Sequence, residues 1–189
     1  MKNPKALLLL ILILIMAVPG LHASSIATRT VDWLKGYGLS PAFILLLISM
    51  LPVIELRGSI PVGILLFNMP WQEVVLISII GNMLPIPFIL LFIEEVLRFI
   101  SRWKIGKSFT AWLYRRAQNK GDVIKRWEAI GLIIFVGIPL PGTGGWTGSF
   151  AAKIFGIRFW QSLLYVFLGV LVAAVIVTSL VLSGKMAMG

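Results

Sequence analysis

The sequence has no cysteine in its 189 residues, and its only histidine is His22. Without cysteine the chain can form no disulfide, no thiol nucleophile and no cysteine-ligated metal site. A single histidine also excludes a histidine pair or a histidine-rich metal centre. The sequence therefore predicts neither a metal nor a cofactor.

Charged residues are also scarce: they make up 13% of the chain, whereas 59% of it is hydrophobic. A soluble domain carries about 25% charged residues. Several apolar stretches approach or exceed the roughly 20 residues that a helix needs to cross a bilayer. We therefore expect a multi-pass, all-α integral membrane protein rather than a soluble enzyme.

Acidic residues are the rarer of the two charge types, 7 against 17 basic residues, which gives a net charge of +10. Nine of the 17 basic residues lie between Arg98 and Arg126, as expected of a cytoplasmic loop under the positive-inside rule. Residues 99–127 could form an interfacial amphipathic helix or a plain solvated loop. Because no groove-reading motif accompanies the charge, nucleic acid is not a predicted partner.

The N-terminus begins with Lys2 and Lys5, an apolar run and then several small residues. This order is typical of a secretory signal, although the small-residue pattern for cleavage is imperfect. Residues 1–25 are thus either a signal peptide or an uncleaved anchor. Residues 26–185 are predicted to form one membrane domain.

The first half of that domain contains an interrupted apolar segment. Residues 41–51 are apolar but too short to span, and residues 52–63 (PVIELRGSIPVG) hold two prolines, two glycines and two opposite charges. Such a stretch does not fit a continuous lipid-facing helix. Residues 41–69 are therefore predicted to be two half-helices in a re-entrant hairpin. The following span, 73–97, should be kinked around Gly81 and Pro85.

The second half follows the same plan. A short apolar arm, 129–138, meets the Pro/Gly-rich break 139–149, and a final span follows at 160–182. The charge rule gives repeat one, about 41–98, and repeat two, about 128–185, opposite orientations. Interrupted segments at matching positions of an inverted repeat indicate a transporter's central site. Chance alignment of proline and glycine is the alternative.

Glu55 is the main candidate for function, because it lies in the first break after a long apolar stretch. Loss of water disfavours an ionised carboxylate, so Glu55 could take up and release a proton. Arg57 would then serve as its counter-ion or as a ligand for an anion. The alternative is a structural ion pair that holds the tip of the hairpin.

The second break supplies hydroxyl groups and glycine backbone instead of charge, in the run Pro139–Ser149. Glycine-rich turns at half-helix ends expose N–H groups that suit a phosphate or carboxylate, or they simply allow tight packing. Asn82 could bond a neighbouring helix or line the pathway. The predicted transport or substrate site comprises Glu55, Arg57, Gly58, Pro61, Pro139, Pro141, Thr143, Gly144 and Thr147, with Asn82 as a candidate pathway residue.

Two motifs, ELRGSIP at 55–61 and PLPGTG at 139–144, resemble those of the small multidrug export protein family of prokaryotes. That family is in turn distantly similar to the DedA-type membrane proteins, which implies two facing re-entrant hairpins and a role in moving lipids. By this resemblance Glu55 corresponds to the acidic residue of the first hairpin. DedA-type proteins carry arginines in or after the second hairpin, whereas residues 139–149 contain none.

These observations favour a small proton-coupled secondary transporter or exporter in the cytoplasmic membrane of a prokaryote. Its substrate would be an anionic lipid or an amphipathic small molecule, and membrane lipids would surround it. A non-transporting scaffold or assembly factor is the alternative, and no enzymatic activity is expected. Because so small a chain has little bulk to enclose a path, a homodimer is plausible.

Overall fold

The computed structural model describes residues 28–100, 122–140 and 142–188. The signal or anchor segment 1–25, most of the basic loop and Pro141 lie outside the described residues. The predictions made for those segments therefore stay predictions.

The described chain is helical, with no strand in these ranges, and the prediction of an all-α protein is confirmed. It begins with helical residues 28–35 (α1). The other helices are α2 Pro41–Met50, α3 Glu55–Pro61, α4 Trp71–Met83, α5 Ile86–Ile100, α6 Asp122–Gly137, α7 Gly145–Ile154 and α8 Phe159–Met188. A single π-helical turn, Val62–Leu66, continues α3. Residues 122–127, assigned to the basic loop from the sequence, are helical and belong to α6.

Two helical stretches in the described ranges are long and apolar enough to cross a membrane, Trp71–Phe92 and Phe159–Ala187. The first comprises α4 and the first half of α5, and the helix is interrupted between Met83 and Ile86. Pro85 lies in this gap and lacks the N–H that an uninterrupted helix would use. The predicted kink is therefore confirmed.

The first break is shorter than predicted. Helix α2 ends at Met50, and α3 already begins at Glu55, so Gly58 and Pro61 are helical residues. The prediction that 52–63 is irregular was wrong in its extent. Pro61 is tolerated because it is the last residue of α3 and the chain then widens into the π-turn, in which the Phe67 N–H bonds the Val62 carbonyl at 3.0 Å.

The second break is also shorter than predicted, because α6 ends at Gly137 and α7 begins at Gly145. Residues 145–149 are helical rather than irregular. Gly148 fits inside the helix for a packing reason: a Cβ atom there would overlap with the Val136 side chain of α6. In this part of the sequence, glycine indicates close helix contact as well as a turn.

Helix α4 packs against α2, and α8 packs against α6. Both contacts are close at a glycine. A Cβ at Gly81 would overlap with Ser49 of α2, and one at Gly169 would overlap with Val136 of α6. Helices α3 and α7 also cross over, since α3 contacts α8 and α7 contacts α5. The buried centre is aliphatic, with Leu45, Ile48, Leu56, Ile60, Val136, Val166 and Val170 among its members.

Candidate functional site

Glu55 is buried and has an unusual backbone conformation. Its side chain is 5% exposed, and its φ of 48° is positive, which is uncommon for a residue other than glycine. Its N–H bonds the Leu51 carbonyl at 2.9 Å, so the turn between α2 and α3 closes at this residue. A non-glycine residue held in this region at the start of a helix is a reason to look for a function.

The Glu55 carboxylate reaches the start of α7, about 90 residues further along the chain. The Gly145 N–H donates to Oε2 at 3.3 Å and the Trp146 N–H donates to Oε1 at 3.2 Å. The first N–H groups of a helix have no partner within it, and this end carries partial positive charge. Glu55 therefore caps the N-terminus of α7.

Gly144, the residue before α7, is required for this approach. Its φ of 147° is one that L side chains rarely adopt, and a Cβ atom there would overlap with the Glu55 carboxylate. Any side chain at position 144 would thus strain the backbone and displace the carboxylate.

Arg57 makes the complementary contact with the other side of the second break. Its guanidinium donates to the carbonyl oxygens of Val136 and Ile138, each at 3.3 Å, and to that of Leu140. These carbonyls lie at and just beyond the end of α6, where the helix dipole is negative. Arg57 therefore caps the C-terminus of α6.

Glu55 and Arg57 attract one another electrostatically, but their hydrogen bonds go to opposite sides of the second break. The structural ion pair considered from the sequence stays a prediction, and the structure adds a second set of contacts to it. Each charge of the first break binds the end of a helix in the second half of the chain. The two charges join the two halves as well as each other.

Thr143 closes the turn of the second break. Its hydroxyl lies 2.9 Å from the Ile138 carbonyl oxygen and 2.8 Å from that of Leu140. The same two carbonyls accept hydrogen bonds from Arg57. Thr143 thus holds the acceptors of the guanidinium in place.

Two further contacts were not predicted from the sequence, one made by Trp146 and one between two serines. The Trp146 indole N–H donates to the Met50 carbonyl at the end of α2, at 3.0 Å. The Ser59 hydroxyl donates to Ser78 of α4 at 2.7 Å. A half-buried indole is expected to find an acceptor, but the sequence does not indicate a partner 96 residues away.

Asn82 lies beside this site and is fully buried, at 0% exposure. A Cβ atom on Gly145 would overlap with its Oδ1, and its amide interacts with the Glu55 carboxylate. Neither Oδ1 nor Nδ2 makes a hydrogen bond of regular geometry within the part of the chain that the structure describes. The interhelical hydrogen bond predicted for Asn82 therefore stays a prediction, with Glu55 of α3 as its nearest candidate partner.

This geometry lies within the region that a known family covers. The family described as "Putative small multi-drug export protein" matches residues 55–176, a stretch that begins at Glu55 and includes the whole second break. The chain belongs to this family. No curated protein and no solved structure matches the chain. The family resemblance based on the two motifs is confirmed, whereas the more distant likeness to DedA-type proteins stays a prediction.

In this small multi-drug export family member, the predicted site residues divide into two groups. Glu55, Arg57, Thr143, Gly144 and Asn82 surround the contact between α3 and the second break. The others build the backbone or bond locally: Gly58 and Pro61 belong to α3, Pro139 separates two acceptors of Arg57, and the Thr147 hydroxyl lies 3.4 Å from the Gly144 carbonyl oxygen. Across the described residues, no three acidic or histidine side chains cluster to hold a metal ion.

Proposed function

We propose that this family member is a secondary carrier in the cytoplasmic membrane of a prokaryote, which exchanges protons for a cationic amphipathic small molecule at Glu55. One observation carries the proposal. Glu55 is a buried carboxylate whose hydrogen-bond donors are the N–H groups at the end of another helix. Such a contact can be released and remade as the charge of the carboxylate changes.

Ionised Glu55 binds the start of α7 through charge-assisted hydrogen bonds and the helix dipole. Protonation removes the negative charge and weakens both interactions, so α3 and α7 can separate. A substrate cation that reaches the carboxylate competes with the helix end in the same way. Because one carboxylate serves helix, proton and cation in turn, proton uptake and substrate binding exclude each other.

We further propose that the chain is an inverted repeat, in which α2 with α3 and α6 with α7 form re-entrant hairpins. Matched packing supports this arrangement: Gly81 lets α4 approach α2, and Gly169 lets α8 approach α6. The crossed contacts of α3 with α8 and of α7 with α5 support it further. A carrier with this plan would alternate by moving one half against the other around Glu55.

The hydrogen bonding at the site favours a cation over an anionic headgroup. The N–H groups of Gly145 and Trp146, which would suit a phosphate, already bind Glu55. A phosphate would have to displace that carboxylate against charge repulsion. An anionic lipid is the second candidate substrate, because the buried Nε of Arg57 has no partner among the described atoms and could donate to a phosphate oxygen.

The test is gradient-driven uptake of a fluorescent lipophilic cation by proteoliposomes that are acidic inside. We expect accumulation above that of protein-free vesicles, and we expect Glu55→Gln to abolish the difference. Glu73→Gln is the matched control, because it makes the same chemical change at an exposed carboxyl of α4. Uptake that survives Glu55→Gln would contradict the proposal.

The same vesicles distinguish the other functions. Movement of a fluorescent polyprenyl-phosphate or phospholipid analogue between leaflets, without uptake of the cation, would favour the lipid carrier. If folded wild-type protein moves neither probe faster than protein-free vesicles do, the scaffold alternative is favoured.

A further inference from the structure

Asn82 is a completely buried amide that interacts with Glu55 but makes no regular hydrogen bond among the described residues. Its side chain is 0% exposed, and both its amide oxygen and its amide nitrogen lack a hydrogen bond of regular geometry within the described ranges. Leaving a buried amide unsatisfied destabilises the folded protein. An unsatisfied buried polar group therefore suggests a bound water, ion or ligand group.

The surroundings of Asn82 define what could bind there. Its amide lies next to Gly145 at the start of α7 and interacts with the Glu55 carboxylate. Ser78, one turn earlier on the same face of α4, already accepts a hydrogen bond from Ser59. Asn82 is therefore the polar side chain on this face of α4 that is available to a ligand of Glu55.

We propose that Asn82 recognises the substrate by accepting a hydrogen bond from a protonated amine whose charge is bound by Glu55. The inference rests on the proposed function and names its substrate class: amphipathic amines that carry at least one N–H. The Asn82 Oδ1 is an acceptor, and an ammonium N–H directed at it would satisfy the orphaned group. A quaternary ammonium has no N–H, so its binding would leave the amide buried and unpaired.

This difference predicts that the site binds a protonated amine in preference to a quaternary ammonium. Sites that hydrogen-bond a ligand's polar hydrogen reject analogues that lack it, because the site's own polar group stays unsatisfied. One hydrogen bond to a charged group gives about tenfold or more in affinity. The wild-type protein should therefore bind a protonated tertiary amine about tenfold more tightly than its quaternary counterpart.

The experiment uses two matched probes, a fluorescent aryl-alkyl dimethylamine, protonated at the assay pH, and its trimethylammonium analogue. Equilibrium binding of each is measured on the full chain in nanodiscs. Asn82→Leu, which has a similar shape and no polar atom, should lower the preference for the amine to about onefold. Thr178→Val is the matched control, because Thr178 is also buried, at 7% exposure, with an unpartnered hydroxyl; it should keep the preference.

The outcomes separate the two proposals. If both probes bind in a Glu55-dependent manner with equal affinity in the wild-type protein, Asn82 does not recognise the amine N–H and the inference is overturned. The same holds if Asn82→Leu keeps the full preference. If neither probe's binding responds to Glu55→Gln, the proposed function itself fails. The wild-type comparison decides the inference even if Asn82→Leu does not fold.

Discussion

The two breaks of the chain have the same plan but opposite chemistry. The first is a turn at 51–54, followed at once by the charges of Glu55 and Arg57. The second, 138–144, is longer and contains no charged residue. It supplies helix ends instead: the N-terminus of α7, which binds Glu55, and the C-terminus of α6, which binds Arg57. Each charge thus meets the end of a helix dipole that attracts it.

This difference shows how two similar breaks can form an asymmetric contact. If both breaks carried charges, those charges would pair with one another rather than with helix ends. With charges on one break only, the helix ends of the other become their partners, and a change in one charge alters the contact between the halves.

The largest expected effect comes from exchanging the charges in the double variant Glu55→Arg with Arg57→Glu. The positive group would then face the N-terminus of α7 and the negative group the carbonyls of α6. We expect unfolding to become easier by on the order of 5 kcal/mol, measured as a fall in the thermal midpoint in detergent. An unchanged midpoint would mean that the two charges act as a simple pair, indifferent to the helix ends. Charge exchange therefore does not separate a structural role from a transport role, whereas Glu55→Gln does.

A smaller effect is expected for Gly144→Ala in the second break. The strained φ and the overlap with the Glu55 carboxylate should together cost about 3 kcal/mol. Gly142→Ala is the control, since its φ is 78° and a Cβ atom there would meet nothing within 4 Å; it should cost about 1 kcal/mol from backbone strain alone. Equal losses of thermal stability in the two variants would contradict the contact between Gly144 and Glu55.

The smallest effect compares two threonines of the second half. Thr143→Val removes a hydroxyl that contacts two acceptors of Arg57 and should cost about 1 kcal/mol. Thr147→Val removes one marginal bond, at 3.4 Å, to the Gly144 carbonyl. It should lower the free energy of unfolding by roughly a few tenths of a kcal/mol, near the low end for such bonds. Chemical denaturation of both variants would measure the difference. A larger loss of stability for Thr147→Val than for Thr143→Val would mean that Thr143 does not close the turn.

The sequence predicted the helical class, the kink, and the breaks beside Glu55 and before Gly145. These features follow from local signals: long apolar runs, proline positions, and charges in apolar surroundings. The extent of the breaks was not predictable in the same way, because Gly58, Pro61 and Gly148 are helical for reasons of packing and of the π-turn.

The partners of Glu55 and Arg57 could not be predicted from sequence. They are backbone N–H and carbonyl groups, which every residue has, and they lie 79 to 91 residues away. From sequence alone, Glu55 is therefore paired with the nearest cation, Arg57. Gly144 is a candidate because of its residue type, but the contact that requires glycine there is visible only in three dimensions.

The central claim is that proton and substrate cation compete for Glu55, and proton release on substrate binding tests it most directly. The lipophilic amine would be added to the purified protein in weakly buffered detergent at a pH at which Glu55 is largely protonated, with a pH-indicator dye as the readout. We expect a proton to be released from the wild-type protein and from Glu73→Gln, but not from Glu55→Gln. Release of equal size from all three proteins, or binding of the amine with no release from the wild-type protein, would contradict the account.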